Sequence, residues 1–217
     1  MLIICNFPII KLIFVVKWSI IVEIKQLFLR GGIDVKKDFK YCKESRVMRT
    51  SRVFPNDVNN HNTLFGGRLM SDIDQVASIS AAKHSRRDCV TASTDSVDFL
   101  HPIRPTDSVY FESYVTWTGT SSMEVFVKVI AENLKTGERK VAATALLTFV
   151  ALDDNNKPAP VPRVIPETVE ETKLHETASE RAKVRAERKK ESKALAQFIS
   201  MNDPWDYRLE MMENAYM

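Results

Sequence analysis

Cysteine and histidine are scarce in this chain of 217 residues, and their scarcity excludes several classes of protein. The three cysteines, Cys5, Cys42 and Cys89, match neither a metal-ligand spacing nor a disulfide framework, which fits a reducing, cytoplasmic compartment. The four histidines stand at 61, 84, 101 and 175 with no HxH or HExxH grouping, so no metal is expected and each histidine is read as surface or loop. Six glycines and nine prolines are too few for a low-complexity chain. A net charge of +3, with no helix-turn-helix and no basic stretch interleaved with aromatics, argues against nucleic acid as a partner. No uninterrupted apolar run reaches the ~18 residues of a membrane span. A composition 44% hydrophobic nevertheless suits one domain of ordinary size with appendages.

The most informative stretch runs from Val53 to Ala82. Leu69, Ile73, Val76, Ala77 and Ser80 recur at helical spacing, which predicts a helix from Gly66 or Gly67 to about Arg86. Asp74 interrupts its apolar side, and Met70, Ala77 and Ser78, one turn away, include no basic partner. A carboxylate beside small apolar residues is expensive to bury unless something pairs with it, so Asp74 has the look of a reactive acid. The bland alternative is a residue at the border of a solvated face. Gly66 and Gly67 open the helix, where bare backbone N–H groups and the helix dipole favour negative charge and could serve as an oxyanion hole. Alternatively the pair makes a turn open only to glycine.

Four stretches of strand character follow, with short turns, as in an antiparallel meander: Val90 to Leu100, Val109 to Trp117, Met123 to Ala131 and Lys140 to Leu152. In the second, Val109, Phe111, Ser113, Val115 and Trp117 alternate against Tyr110, Glu112, Tyr114 and Thr116. In the third, Met123, Val125, Val127 and Val129 oppose Glu124, Phe126, Lys128 and Ile130. Apolar groups on both faces predict a sheet covered twice, and the nearly continuous hydrophobicity of the fourth stretch predicts a buried interior strand. One long helix with small residues at Ala77, Ser78, Ser80, Ala81 and Ala82, followed by long antiparallel strands, gives an α+β fold.

The blocks Phe54-Pro55-Asn56-Asp57-x-Asn59, Leu64-Phe65-Gly66-Gly67 and Asp72-Ile73-Asp74 resemble those of the hotdog-fold acyl-coenzyme A thioesterases of the bacterial cytosolic type. The resemblance continues through Val90-Thr91-Ala92-Ser93, Asp98-Phe99-Leu100-His101-Pro102 and Thr118 to Val125, and fades past about Pro160. It covers roughly half the chain, and the set of spaced blocks is far more specific than any one of them. The resemblance implies a hotdog, a long helix wrapped by an antiparallel sheet. It also implies hydrolysis of acyl-CoA to free fatty acid and coenzyme A, with no metal or organic cofactor. By the same resemblance Asp74 is the catalytic carboxylate, acting as general base or as nucleophile, and Asn59 orients the water or the thioester. The Gly67 N–H holds the thioester oxygen, Phe65 and Gly66 join in substrate binding, and Ser121 and Ser122 lie near the phosphates of coenzyme A. Asp74 and Asn59 of one site come from different protomers, which implies at least a homodimer, and the family suggests a trimer of dimers. A non-catalytic acyl-CoA sensor or scaffold is the alternative. A hotdog dehydratase ranks low, because His61 is the only nearby candidate for its histidine and does not replace the asparagine.

For the turn Thr118 to Ser122 an ordinary polar hairpin is the competing reading, and Arg104 in the rigid loop His101 to Pro105 is read as solvated rather than phosphate-bound. Asp, Asn and proline mark Asp153 to Pro166 as a linker or extended arm. Strong helix formers then run from Glu167 to about Phe198, acidic first and basic last, with seven basic against two acidic side chains between Arg181 and Lys193. That order suits the helix dipole, so a solvated helix is expected, with coenzyme A phosphates or a neighbouring subunit as alternative partners. Met1 to Leu29 is apolar with scattered lysines. It is read first as an extension translated from upstream of the true start, then as a membrane-surface segment, then as a poor signal anchor. The expected division is an N-terminal extension at 1–45, a hotdog domain at 46–155, and a linker with charged helix at 156–217.

Overall fold

A computed structural model describes residues 38–199 and 201, so the readings made for Met1 to Leu29 fall outside the described residues. The described elements begin with strand β1 (Phe39–Tyr41), a single helical turn α1 (Cys42–Ser45) and strand β2 (Val47–Arg52). The central helix α2 (Gly66–Ser85) follows, then β3 (Asp88–Phe99), β4 (Asp107–Thr118), β5 (Ser122–Asn133) and β6 (Arg139–Leu152). A short β7 (Arg163–Ile165) and a long helix α3 (Val169–Ala196) complete the set. The helix bounds agree with those read from the sequence, and Arg86 closes α2 in the left-handed conformation.

Five strands form an antiparallel sheet in the order β2-β4-β5-β6-β3. The expected meander therefore holds only for β4, β5 and β6; β3 passes to the far edge and pairs with β6. Strand β2, which the periodicity did not reveal, forms the other edge against β4. The arm from Asp153 to Pro166 contains β7, which pairs in parallel with β1.

Helix α2 lies on one face of the sheet and buries Leu69, Ile73, Val76, Ala77 and Ala81 against Phe111, Val115, Val125, Val127, Leu147 and Phe149. Small residues let it approach closely. The Ser113 hydroxyl donates to the Val76 carbonyl at 3.0 Å and lies 2.7 Å from the Ser80 hydroxyl, so these buried polar groups in the interface satisfy one another. This is the hotdog arrangement, and both sheet faces are covered as the sequence required.

The second cover is α3. Its start is a capping box: the Thr168 hydroxyl accepts the Glu171 N–H, while the buried Glu171 carboxylate accepts the N–H groups of Glu167 and Thr168. Arg46 pairs with Glu171 and Glu112, tying this end to the segment before β2. Farther along, the His175 ring bonds the Thr116 carbonyl, Arg181 meets Glu124, and Arg185 and Arg188 meet Asp95. Three arginines of the basic half of α3 are thus bound to carboxylates of its own sheet, while Lys183, Lys189, Lys190 and Lys193 stay exposed as expected of a solvated face.

Trp117 departs from the expected alternation. A register shift between Val115 and Trp117 places Trp117 opposite Glu124, on the α3 side rather than with Val115. His84 departs too, since it is fully buried rather than superficial, with Nε2 2.8 Å from the Pro162 carbonyl and Nδ1 without a partner. Burial holds its basicity below the ordinary value of 6.5, with Lys40 opposing protonation as well. Because the folded form resists a proton that the unfolded chain accepts, stability is expected to be fully present above about pH 6.5 and to fall as pH drops below it. Thermal unfolding between pH 7 and 5 checks this, and the slope should flatten in His84→Gln.

Candidate active site

The N-terminal end of α2 supplies the first half of the site. Phe65, the residue before the helix, offers no side-chain cap, and the first backbone bond into the helix is Leu69 N–H to the Phe65 carbonyl, at 3.0 Å. The N–H groups of Gly66, Gly67 and Arg68 therefore have no acceptor within the helix and point out of its end. Neither glycine has a positive φ, so the pair is not there for a turn that excludes other residues. At Gly67 a Cβ would stand 2.6 Å from the tip of the Phe65 ring, a side chain that is 57% exposed and has room to turn aside.

Asn59 sits in a tight loop closed by the Val58–Leu64 bridge. Its side-chain carbonyl accepts from the N–H groups of His61 (2.9 Å) and Thr63 (3.2 Å), and its amide donates to the Thr63 hydroxyl at 3.0 Å. What remains free to a substrate is one amide N–H. Asn59 and Gly66 line a shared cleft of about 410 Å³ whose other walls include Leu64, Leu69, Phe99 and Ile103, an apolar slot beside two kinds of N–H donor. His61 serves only through its backbone, and its ring is exposed.

The second half lies farther along α2. Asp74 is half-buried, so it is less enclosed than the pattern suggested, and it accepts a hydrogen bond from the Thr91 hydroxyl of β3 at 2.9 Å. Thr91 belongs to a block already singled out, but its hydroxyl had been given no task. Asp74 does not line the cleft of Asn59. Seven residues of helix separate it from Gly67, about 10 Å of axial rise. On α2 the apolar side chains of Met70, one turn before Asp74, and of Ile79 are exposed. Of the two aspartates on this stretch of α2 the buried one is Asp72, held by Arg49 at 2.9 Å and Arg68 at 3.4 Å.

Ser121 closes the β4–β5 turn and Ser122 opens β5. The Ser121 carbonyl accepts the Ala151 N–H, and Ser122 faces a cleft of about 490 Å³ between sheet and α3 that is also lined by Trp117, Arg185, Arg188 and Lys189. Arg104 borders a separate polar cleft of about 180 Å³ with His101 and Lys140. The Cys42 thiol is pushed up to about 12 by burial and by nearby Glu171, so it stays protonated and unreactive. Among the described residues, no three His, Cys, Asp or Glu side chains gather as a metal site would need.

A thioesterase superfamily model matches residues 61–138. The chain is similar to an uncharacterized acyl-CoA thioester hydrolase of Bacillus subtilis, with 68% identity over 76% of this chain and 96% of that protein. It is also similar to an acyl-CoA hydrolase of Staphylococcus aureus solved with butyryl coenzyme A, coenzyme A and coenzyme A disulfide. That likeness has 44% identity and a TM-score of 0.71 over 74% of this chain and 98% of the other. Solved variants of the staphylococcal protein replace an asparagine, an aspartate and a threonine by alanine, and these three positions are spaced there as Asn59, Asp74 and Thr91 are spaced here. A hexameric acyl-CoA thioesterase solved without ligand matches with 44% identity and a TM-score of 0.68, over 69% of this chain and 96% of that one.

Proposed function

The chain belongs to the acyl-CoA thioester hydrolases of the thioesterase superfamily, and from that premise we propose that it hydrolyses acyl-CoA to free fatty acid and coenzyme A at a site assembled between two protomers. One observation carries the assembly: within one chain Asn59 and Gly66 share a cleft at the end of α2, with Gly67 next along the helix, while Asp74 stands apart with Thr91. Neither half holds both a donor set for an oxyanion and a base. Around the second half α2 exposes Met70 and Ile79, and β3 is the outermost strand of the sheet, an edge that a second copy would cover.

In the assembled site the thioester carbonyl oxygen receives the Gly67 N–H and the free amide N–H of Asn59. As attack proceeds, charge grows on that oxygen and these fixed donors stabilise it more than they stabilise the ground state. Asp74 of the other protomer takes the proton of the attacking water, or attacks the carbonyl carbon itself to form an anhydride that water then opens; both routes expel coenzyme A as a thiolate. The Thr91 hydrogen bond fixes which carboxylate oxygen is free for this work. Phe65 and Gly66 flank the acyl end. Ser122 faces the cleft that contains Lys189, which supports reading Ser121 and Ser122 as neighbours of the coenzyme A phosphates.

The threonine, aspartate and asparagine replaced in the staphylococcal variants support the choice of residues. We place the protein in the cytoplasm, where its unpaired Cys42 and Cys89 suit a reducing medium, and read its assembly as a trimer of dimers, supported by a hexameric relative. We also keep the division into an extension at 1–45, the hotdog at 46–155 and a linker with helix at 156–217, with the first boundary moved earlier. The compact unit containing the sheet starts at Phe39, which supports an extension that ends short of residue 45. Thiol release from acyl-CoAs of increasing chain length tests the activity: turnover with part of the series is expected, and tight binding without turnover would overturn it.

A further inference from the structure

The α3 side of β3 carries a carboxylate that takes no direct part in the chemistry at Asp74. Asp95 Oδ1 accepts from the Ser93 hydroxyl and from Arg188, both at 2.6 Å, and Oδ2 accepts from the Thr148 hydroxyl at 2.7 Å and from Arg185 at 2.8 Å. Arg188 also donates to the Asp95 main-chain carbonyl at 3.2 Å. One side chain thus joins β3, β6 and α3. Two guanidiniums on one carboxylate, with Arg185 and Asp95 each 13% exposed, exceed what an ordinary surface ion pair provides.

The place where this happens is irregular. The β3–β6 ladder slips between Thr91 and Ser93 and again between Thr94 and Ser96, which leaves Ala92 and Asp95 without ladder partners. Such bulges loosen and bend a strand, and they redirect its side chains. Here the two extra residues put Ser93 and Asp95 together on the α3 side, while Thr91 keeps facing α2. Thr91 is the last paired residue before the first slip, so ladder bonds hold it only from one direction along the strand.

We propose that Asp95 is a positioning residue for hydrolysis: gripped by Arg185 and Arg188 of the C-terminal helix, it fixes the bulged segment of β3 and so holds the Thr91 hydroxyl on Asp74. The inference rests on the reading of Asp74 and Thr91 as part of the hydrolytic site. It gives α3 a task in catalysis although none of its residues reaches Asp74. A hydroxyl displaced by even ~1 Å releases the carboxylate from its working orientation, and losses of that kind fall on turnover rather than on substrate affinity.

The test is a double-mutant cycle in the full-length protein, with kcat and KM measured by thiol release on one acyl-CoA that the wild type turns over. Asp95→Ala is expected to lower kcat about tenfold with KM within about twofold, and to change kcat less than about twofold when Thr91 is already alanine. An unchanged kcat in Asp95→Ala overturns the proposal, as does the same tenfold loss in the Thr91→Ala background, since that loss would not pass through Thr91. Melting curves accompany each variant. If Asp95→Ala does not fold, Arg188→Ala, at the more exposed end of the network, carries the same two expectations. Asp74→Ala assayed alongside separates the two readings: full activity there defeats the site itself, whereas its loss together with a normal Asp95→Ala kcat defeats only this inference.

Discussion

Replacing Asp74 by alanine is expected to lower acyl-CoA hydrolysis by a factor on the order of 10²–10⁴, the range for loss of a positioned acid or base. The variant should fold as the wild type does. Asp74 is half-buried, makes one side-chain hydrogen bond, to Thr91, and takes part in no ion pair among the described residues, so its removal opens no cavity and strands no buried charge. KM should move little, because the apolar cleft, the Gly67 N–H and the Asn59 amide are untouched. Asp74→Asn should be nearly as inactive, since an amide keeps the shape but neither takes a proton nor attacks a carbonyl. Thiol release on the acyl-CoA series, with circular dichroism to confirm folding, is the measurement. Undiminished activity in Asp74→Ala would move the chemistry elsewhere.

The second large effect is on stability. Glu124 of β5 is completely buried, and Arg181 of α3 reaches it with Nε at 3.0 Å and Nη2 at 2.7 Å, a two-pronged pairing to which the Thr116 hydroxyl adds 2.8 Å. Arg181→Ala would leave that carboxylate in a dry setting with Thr116 and a more distant Arg185, at 3.7 Å. Removing one partner of a buried pair costs about 3–5 kcal/mol, and the residual help from Arg185 places the expected loss at about 3 kcal/mol. Because Arg181 also bonds the Leu174 carbonyl at 2.7 Å, part of the loss is unwinding of α3 itself. Chemical denaturation reads the difference. Adding Glu124→Leu to Arg181→Ala should recover much of it by removing the stranded charge. Unchanged stability in Arg181→Ala would mean that α3 does not rest on the sheet in solution.

The parts of this molecule legible in its sequence are those with local signatures. The apolar spacing of Leu69, Ile73 and Val76 defines α2 to within a residue at its end, and the alternation around Val109 and Val125 gives β4 and β5 with their faces. Strand β2 was not seen because it lies at an edge: Met48, Thr50 and Arg52 are exposed, and its pairing with β4 lies about sixty residues away. Strict alternation puts Trp117 on the face of Val115, and it cannot anticipate the residue that the bulge inserts. The docking of α3 was hidden for a related reason. Its arginines look like favourable end charges on a solvated helix, and only the fold brings Glu124 and Asp95 beneath them. Asp74, Asn59 and the glycine pair were recognisable as blocks, whereas the role of Thr91 needs the path of β3 past α2. His84 shows the limit of counting residue types, since one histidine among four is buried with an unpaired ring nitrogen.

The central claim is that one working site draws Asn59 and Gly67 from one protomer and Asp74 with Thr91 from another. Mixing separately inactive Asp74→Ala and Asn59→Ala proteins, after dissociation and reassociation, tests it most directly. In a mixed dimer one site then carries both lesions and the other carries neither. Random assortment makes half the dimers mixed, so thiol release should return to about a quarter of the wild-type value. If both residues served the same site within one chain, every site would keep one lesion and the mixture would show no more than its components, which would contradict the account.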